Sequence, residues 1–441
     1  MKLYFKQNLQ NMILLVSILT CFSISAYSQT KGANQVLVDD GAWCWFADPR
    51  AVYHKGAEEK IYYGYITSKG DVGVGSTDKN KNSESFILHE ELQVDDHNVP
   101  SFLFLPDGKI LTFYTEHNGR FFTRKSTNPE DISAWEEEQT HSFGLEGFYI
   151  TYSHPVMLSE ENNRIYVFFR ARNKRDPKNP KMVDWRQYYT YSDDLGETWV
   201  PARSYLSSYG DHDKIPYLKV VSDHKSRIHF LFTDSHPKIG FASVYHMYYE
   251  NGAFHRTDGE FVQEMDGQLV DFGKLSKLYD AKEGKLKAWI WDVALNKKGN
   301  PVVAYAHYPS VNDHIYRYAY WDGKKWNDKE VVNSGGYITS PEKNGAVLEE
   351  HYSGGIVLDH HNPDNIFLSR AVEGIFEIEK WNLKGNRWIS QKITSGSTEN
   401  NVRPYVVDHY PGKKPMVIWM QGRYEHFIRY NTRLLINEVA F

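Results

Sequence analysis

Between residues 95 and 118 the chain sets two histidines and two asparagines at the two ends of one hairpin. Asp95-Asp96-His97-Asn98-Val99-Pro100 leads into the apolar run Phe102-Leu103-Phe104-Leu105. Pro106-Asp107-Gly108-Lys109 then turns the chain, and Ile110-Leu111-Thr112-Phe113-Tyr114 returns it to Glu116-His117-Asn118. Two apolar runs around Pro-Asp-Gly read as antiparallel strands joined by a tight turn. A hairpin comes back to the edge it left, so His97 and Asn98 are expected beside His117 and Asn118. Imidazoles titrate near neutrality, which suits such a rim to proton transfer. An arginine with an amide partner can neutralise a carboxylate. A His or Tyr can then remove the proton alpha to it, and a second can protonate a departing oxygen. That combination is β-elimination across C4–C5 of a uronic acid.

The elements that must position these groups repeat along the chain at roughly 50–60 residues, a spacing expected of propeller blades. Each unit has a short polar approach, an apolar strand, a turn and a second apolar strand. The approaches are Asp48-Pro49-Arg50, His97-Asn98-Val99-Pro100, Tyr152-Ser153-His154-Pro155, Ile215-Pro216-Tyr217, Trp291-Asp292, Tyr352-Ser353-Gly354 and Arg403-Pro404-Tyr405. Seven returning strands follow, among them Ile165-Tyr-Val-Phe-Phe169, Val302-Val-Ala-Tyr305 and Met416-Val-Ile-Trp419. No stretch carries sustained helical periodicity. The fold class is therefore all-β, a seven-bladed β-propeller of four-stranded units whose ring closure removes long exposed edges. Ser192-Asp193-Asp194-Leu195-Gly196-Glu197-Thr198-Trp199 matches the Asp-box turn of sialidase-type and related propellers, which is a structural element.

In a meander, the start of each inner strand and the end of the second lie on one face of the ring. The approaches bring Arg50, His97, Asn98, Tyr152, His154, Trp291, Asp292, Tyr352 and Arg403 to that rim. The exits bring His117, Arg170, Arg172, His236, His307, Arg370 and Gln421. A rim rich in His, Arg, Tyr and Trp suits an acidic sugar. The wider composition agrees, with 15% aromatic residues, 31 Tyr and 12 Trp in 441 residues.

Composition bounds the remaining classes. The formal charge is −5, with no basic tail or patch for nucleic acid. Local arginines must therefore bind any anionic substrate. Residues 1–28 read as an export signal: Lys2 and Lys6 precede the apolar Met12–Cys21 core, and Ser23, Ser25, Ala26 and Ser28 follow. The core is too short for a membrane span, so no transmembrane segment is expected. A periplasmic or secreted protein follows, with one catalytic domain over 29–441, expected to be a monomer. A lipoprotein anchored at Cys21 is the weaker alternative, since Leu19-Thr20 lacks the small residue usual before the cysteine. Only Cys44 remains after cleavage, which excludes an intramolecular disulfide and a four-thiolate zinc site.

Trp43-Cys44-Trp45-Phe46-Ala47-Asp48-Pro49-Arg50, the Asp95–Pro100 segment with His117, and Tyr152-Ser153-His154-Pro155 resemble the BNR-4 repeat family. That family includes propeller ulvan lyases, lyases of rhamnose-glucuronate linkages and a group of rhamnosidases. The resemblance implies a His and a Tyr as base and acid, a second His nearby, and an Arg that neutralises the uronate. By motif these fall on His97, Tyr152, His117 and Arg170. Either His97 or Tyr152 can be the base. Asn98, Arg172, His307, Arg370 and Arg403 are the expected substrate-binding residues. Ala47 departs from the Gln usual at that position and from the His associated with the rhamnosidases, which favours the lyase reading. No cofactor is needed for elimination. Some relatives carry zinc or calcium, and Asp359-His360-His361 offers ligand types, but it reads equally as a polar turn. The competing readings are a glycoside hydrolase, either rhamnosidase or sialidase-like through Arg50, Arg370 and Arg403, and a sugar-binding propeller without catalysis.

Overall fold

The apolar runs counted along the chain become the inner and second strands of seven antiparallel sheets. A computed structural model describes residues 34–173, 184–207, 215–338, 350–412 and 414–437. The expected export signal lies outside them. The inner strands of blades 1 to 7 are Ala51–Lys55, Ser101–Phe104, Tyr149–Leu158, Tyr217–Ser222, Lys287–Leu295, Ile356–Leu358 and Asn401–Val406. Each pairs with the strand that follows it, as in a meander. The protein is a seven-bladed β-propeller.

The ring closes through its ends. Gln35–Val38 forms the outer strand of blade 7, antiparallel to Arg429–Ile436. This removes the open edge that a chain ending in a three-stranded sheet would leave. Blades pack face to face through large side chains. Phe168 of blade 3 meets Phe230 of blade 4 edge-on at 4.9 Å, and each fully buried ring of this kind contributes about 2–3 kcal/mol. The Asp-box is a turn with no catalytic exposure. Asp194 accepts from the Thr198 backbone at 2.8 Å, Ser192 Oγ accepts from Gly196 N at 2.8 Å, and Trp199 packs edge-on against Phe113 and Phe143.

Two features depart from the expected four-stranded repeat. Blade 4 has six strands, because the Ala253–Arg256 and Phe261–Glu264 hairpin extends it outward and Ser276–Tyr279 pairs beside Val244–Glu250. Trp291-Asp292, expected as the approach to blade 5, lies inside a strand that starts at Lys287. The register shifts between Ile290 and Asp292 there. Similar irregularities fall between Thr151 and His154 in blade 3 and between Val402 and Tyr405 in blade 7. A bulge re-aims the side chains it carries. These three bulges turn Tyr152, Trp291 and Arg403 at corresponding places in their inner strands. Among the described residues no helix is long and apolar enough to cross a membrane.

Candidate active site

The hairpin of blade 2 does bring His97 and His117 together, and a carboxylate holds them. His97 sits on a single helical turn, Asp96–Asn98, capped by Asp95. Asp95 Oδ1 accepts from the His97 backbone N–H at 3.0 Å and from its Nδ1 at 2.6 Å. The other oxygen, Oδ2, accepts from His117 Nδ1 at 2.7 Å. The rings stack with centroids 4.0 Å apart and planes 13° from parallel. Phe427 stands edge-on to both, at 5.0 and 5.3 Å. A carboxylate can only accept, so both Nδ1 atoms donate and each Nε2 is left to other partners.

Blade 3 supplies the other two groups, and the hairpin is stitched to it. Asn118 N–H donates to Thr151 Oγ1 at 2.9 Å, and Gly119 and Ile150 exchange backbone hydrogen bonds at 3.0 Å. The next residue, Tyr152, lies in the bulge with φ +70°, left-handed backbone that an aromatic residue rarely adopts. That strained conformation turns the buried phenol inward, 5.5 Å from His97 between ring centroids. Arg170 follows from the second strand, where its backbone pairs with Thr151. Its guanidinium carbon lies 4.9 Å from Tyr152, 4.6 Å from Tyr217 and 4.4 Å from Trp185. The side chain is buried, yet Nε and Nη1 have no hydrogen-bond partner. Aromatic faces attract the cation but do not replace those hydrogen bonds. Beyond it Tyr217, His236 and Trp289 form an aromatic wall, with Tyr217–Trp289 centroids at 5.1 Å and His236–Trp289 at 3.8 Å.

The environment separates the protonation states. Burial opposes charge on His97, but Cys44, Tyr152 and Asp95 together hold it well above the usual imidazole range. Burial and then the charge of His97 push His117 down. Burial raises the Tyr152 phenol well above its ordinary value despite His97 and Arg170, so it stays protonated at neutral pH. Burial works against ionised Asp95, yet His97 and His117 keep it well below the ordinary carboxylate range. Removing both imidazoles would strand a buried carboxylate, at a cost of about 3–5 kcal/mol.

Asp96, the neighbour of Asp95, is committed elsewhere. Its Oδ2 accepts from Arg403 Nη1 and, at 2.7 Å, from the Tyr424 hydroxyl. Arg403 also donates to the Trp43 carbonyl at 2.7 Å. The donors of Cys44, Asp96 and His97, and of Asp95, His97 and His117, lie close enough to share an ion. Both Asp95 oxygens accept from imidazole N–H groups, which links the two rings through one carboxylate.

His97, His117, Tyr152 and Arg170 thus converge, whereas the expected substrate-binding residues mostly have other partners. Arg403 is a buried brace beneath His97. Arg370 makes a two-pronged pair with Glu379, at 2.7 and 3.0 Å. Asn98 is buried and donates to the Gln93 carbonyl at 3.1 Å, closing its own turn. His307 packs on Tyr279, centroids 4.2 Å apart, where blades 4 and 5 meet. Arg172 is near the site, its guanidinium 5.1 Å from the Trp185 ring that also covers Arg170. Sequence reasoning assigned no role to Asp95, Trp185 or Tyr217. The Asp-x-His spacing was a usable signal for Asp95, since a residue capping a turn faces the side chain two positions on.

His154 points to the other end of the channel. It lines a cavity of about 230 Å³ with Asp48, Asp292, His360, Asp408 and His409. Of these, His360, Asp408 and His409 follow the far ends of their inner strands, opposite Tyr152. His360 is held between Asp292, 3.2 Å from Nε2, and Asp408, 3.5 Å from Nδ1. Asp359 accepts from the backbone N–H groups of His361 and Asn362 and from Asn365 Nδ2, so Asp359-His360-His361 is a polar turn.

The profile of the BNR repeat-containing family matches residues 60–334. The chain belongs to this family. No curated protein matches it. Among solved structures, this family member is similar to a polysaccharide lyase PL25 ulvan lyase bound to -[GlcA(1-4)Rha3S]-, with 16% identity and a TM-score of 0.66. The match covers 92% of this chain and 96% of that one. Polysaccharide lyase Uly1 is similar over 91% of this chain and 97% of its own, with 12% identity and a TM-score of 0.55. At these identities the likeness shows a shared fold.

Proposed function

We propose that this chain is an exported β-eliminase that acts at C4–C5 of a glucuronate or iduronate linked to rhamnose in ulvan-type sulfated glycans. The observation that carries the reading is the buried, aromatic-caged Arg170 with unpartnered N–H groups, set beside a phenol and two carboxylate-anchored imidazoles. A caged guanidinium whose Nε and Nη1 have no partner matches a ligand carboxylate, which would accept from these N–H groups. Neutralising that carboxylate acidifies the C5 proton and stabilises the enolate that forms. A neutral imidazole of the His97/His117 pair takes the C5 proton. The C4=C5 double bond forms as the C4–O4 bond breaks. Tyr152 gives its proton to O4, and an imidazolium of the pair reprotonates the phenolate. The proton lost from carbon is thereby matched by the one gained by oxygen, and no cofactor is required.

Tyr217, half-buried and backed by the buried Trp289, gives the sugar a stacking surface. The similarity to lyases, one of them bound to a glucuronate–rhamnose sulfate, agrees with this substrate class. Either a sugar or, at a non-reducing end, water can depart from C4 through the same steps. Incubation with ulvan and with its saturated oligosaccharides tests the reading. A rise in the ultraviolet absorbance of an unsaturated uronate is expected, with chain shortening if a sugar departs and unchanged length if water departs. Reducing ends released without that absorbance would instead show hydrolysis, and binding without either product would show a lectin.

A further inference from the structure

We propose, building on the elimination reading, that Asp95 is a positioning residue that makes His97 and His117 one proton-sharing unit, with His97 the resident imidazolium and His117 the neutral base. The asymmetry is geometric. His97 Nδ1 faces two carboxylate oxygens, Asp95 Oδ1 at 2.6 Å and Asp96 Oδ1 at 3.2 Å. His117 Nδ1 faces one, Asp95 Oδ2 at 2.7 Å. Asp96 Oδ1 is otherwise unpartnered, and of the two rings it is His97 whose Nδ1 lies within ion-pair distance of it. Two imidazoles stacked at 4.0 Å repel one another when both are charged. The first proton therefore goes to His97, and the second is disfavoured by the first. The directions in which burial and neighbours move the two rings agree with this order.

The exposures fit the roles. His97 lies beneath Tyr152 and Phe427 with 6% of its side chain exposed, whereas His117 keeps 18%. A base must reach the substrate, and a group that only reprotonates Tyr152 needs to reach Tyr152. With Nδ1 fixed as the donor to Asp95, the lone pair of neutral His117 is on Nε2, away from the anchor. The groups facing the pair are Asp95 and Asp96 on its own hairpin, Cys44, Tyr152 and Arg170 from neighbouring segments, and His426 from blade 7. Among the described residues only Asp95 touches both rings through hydrogen bonds. A bell-shaped dependence of kcat on pH follows. The acidic limb is protonation of His117, and the basic limb is loss of the His97 proton.

Two measurements decide it. Nitrogen-15 spectra of the histidine rings in the free protein at neutral pH should show one ring protonated on both nitrogens, assigned to His97, and one protonated on Nδ1 alone, assigned to His117. Two rings in the same state, or His117 protonated on Nε2, would overturn the proposal. Because no substrate is present, this result stands whether or not the elimination reading does. Asp95→Asn then tests the consequence for turnover. Loss of the shared negative charge should lower kcat about 10²-fold or more at nearly constant KM, and move both limbs of the pH profile toward acid. An unshifted profile would overturn the proposal, even with reduced turnover, since a merely structural loss moves the rate and not the limbs. If Asp95→Asn does not fold, the spectra of the unsubstituted protein decide alone.

Discussion

Two clusters of imidazole and carboxylate sit at opposite ends of the propeller channel, and they differ in which group is shared. At one end a single carboxylate, Asp95, serves two imidazoles, His97 and His117. At the other a single imidazole, His360, serves two carboxylates, Asp292 and Asp408. The second arrangement saturates its proton. Burial opposes charge on His360, but Asp292 and Asp408 raise it to about 9, so it remains a fixed cation through neutral pH. The first arrangement leaves one imidazole, His117, short of a full counter-charge, and burial with the charge of His97 lowers its hold on a proton. Similar residue types make a brace in one place and, in the function proposed above, a proton-transfer unit in the other. The difference is whether the shared group is an acid or a base.

Substitutions should separate the two ends sharply. The largest effect is expected at the Asp95 end: His117→Gln and Tyr152→Phe should each reduce kcat about 10²- to 10⁴-fold, the range of a lost general base or acid. His360→Gln, measured in the same assay, should leave kcat unchanged. Equal losses at both ends would erase the distinction. Next in size, Arg170→Lys should keep the charge but lose the planar two-pronged match, lowering kcat/KM about 10²-fold, with the loss carried by the transition state. An unchanged kcat/KM would show that the caged guanidinium does not meet the substrate carboxylate.

Smaller effects bear on stability. The folded-state pKa of His360 lies above its unfolded value, so its contribution is complete below about pH 6.5 and fades as pH rises through about 9. It amounts to on the order of 3 kcal/mol. His360→Gln should therefore lower Tm by several degrees at pH 6 and by much less at pH 10, followed by thermal melts. A Tm difference that does not vary with pH would remove the fixed-cation assignment. The smallest change is expected for Arg370→Ala, about 1 kcal/mol of stability from its partly exposed pair with Glu379 and no change in KM. A raised KM would restore Arg370 to the substrate-binding set.

The blade count and the pairing of His97 with His117 were legible in the sequence because both follow from local patterns. Apolar runs set the strands, and Pro-Asp-Gly-Lys set the turn that brings the two histidines together. Tyr152 and Arg170 were legible through resemblance and strand position. The fates of Arg403 and Arg370 were not legible, because an arginine at a rim looks the same in sequence whether a carboxylate waits within the protein or arrives with a ligand. Asp96 and Glu379 decide those cases, and they lie 307 and 9 residues away from their partners. His154 was misread for a different reason. A bulge between Thr151 and His154 shifts the register, so Tyr152 and His154 part company and face opposite ends of the channel.

The seam that closes the ring also supports the hairpin that carries His97. Arg403 and Tyr424 of blade 7 grip Asp96, and the Asp96 backbone N–H donates to the Phe427 carbonyl at 2.9 Å. Bringing such distant stretches together carries a loop-closure cost of about 5 kcal/mol in chain entropy, before any blade-to-blade contact is counted. A nascent chain that lacks its last blade would have all of His97, His117, Tyr152 and Arg170 and still lack the partner of Asp96. The anchorage of the His97 turn is therefore completed late in synthesis, when the last blade reaches the entry of the second.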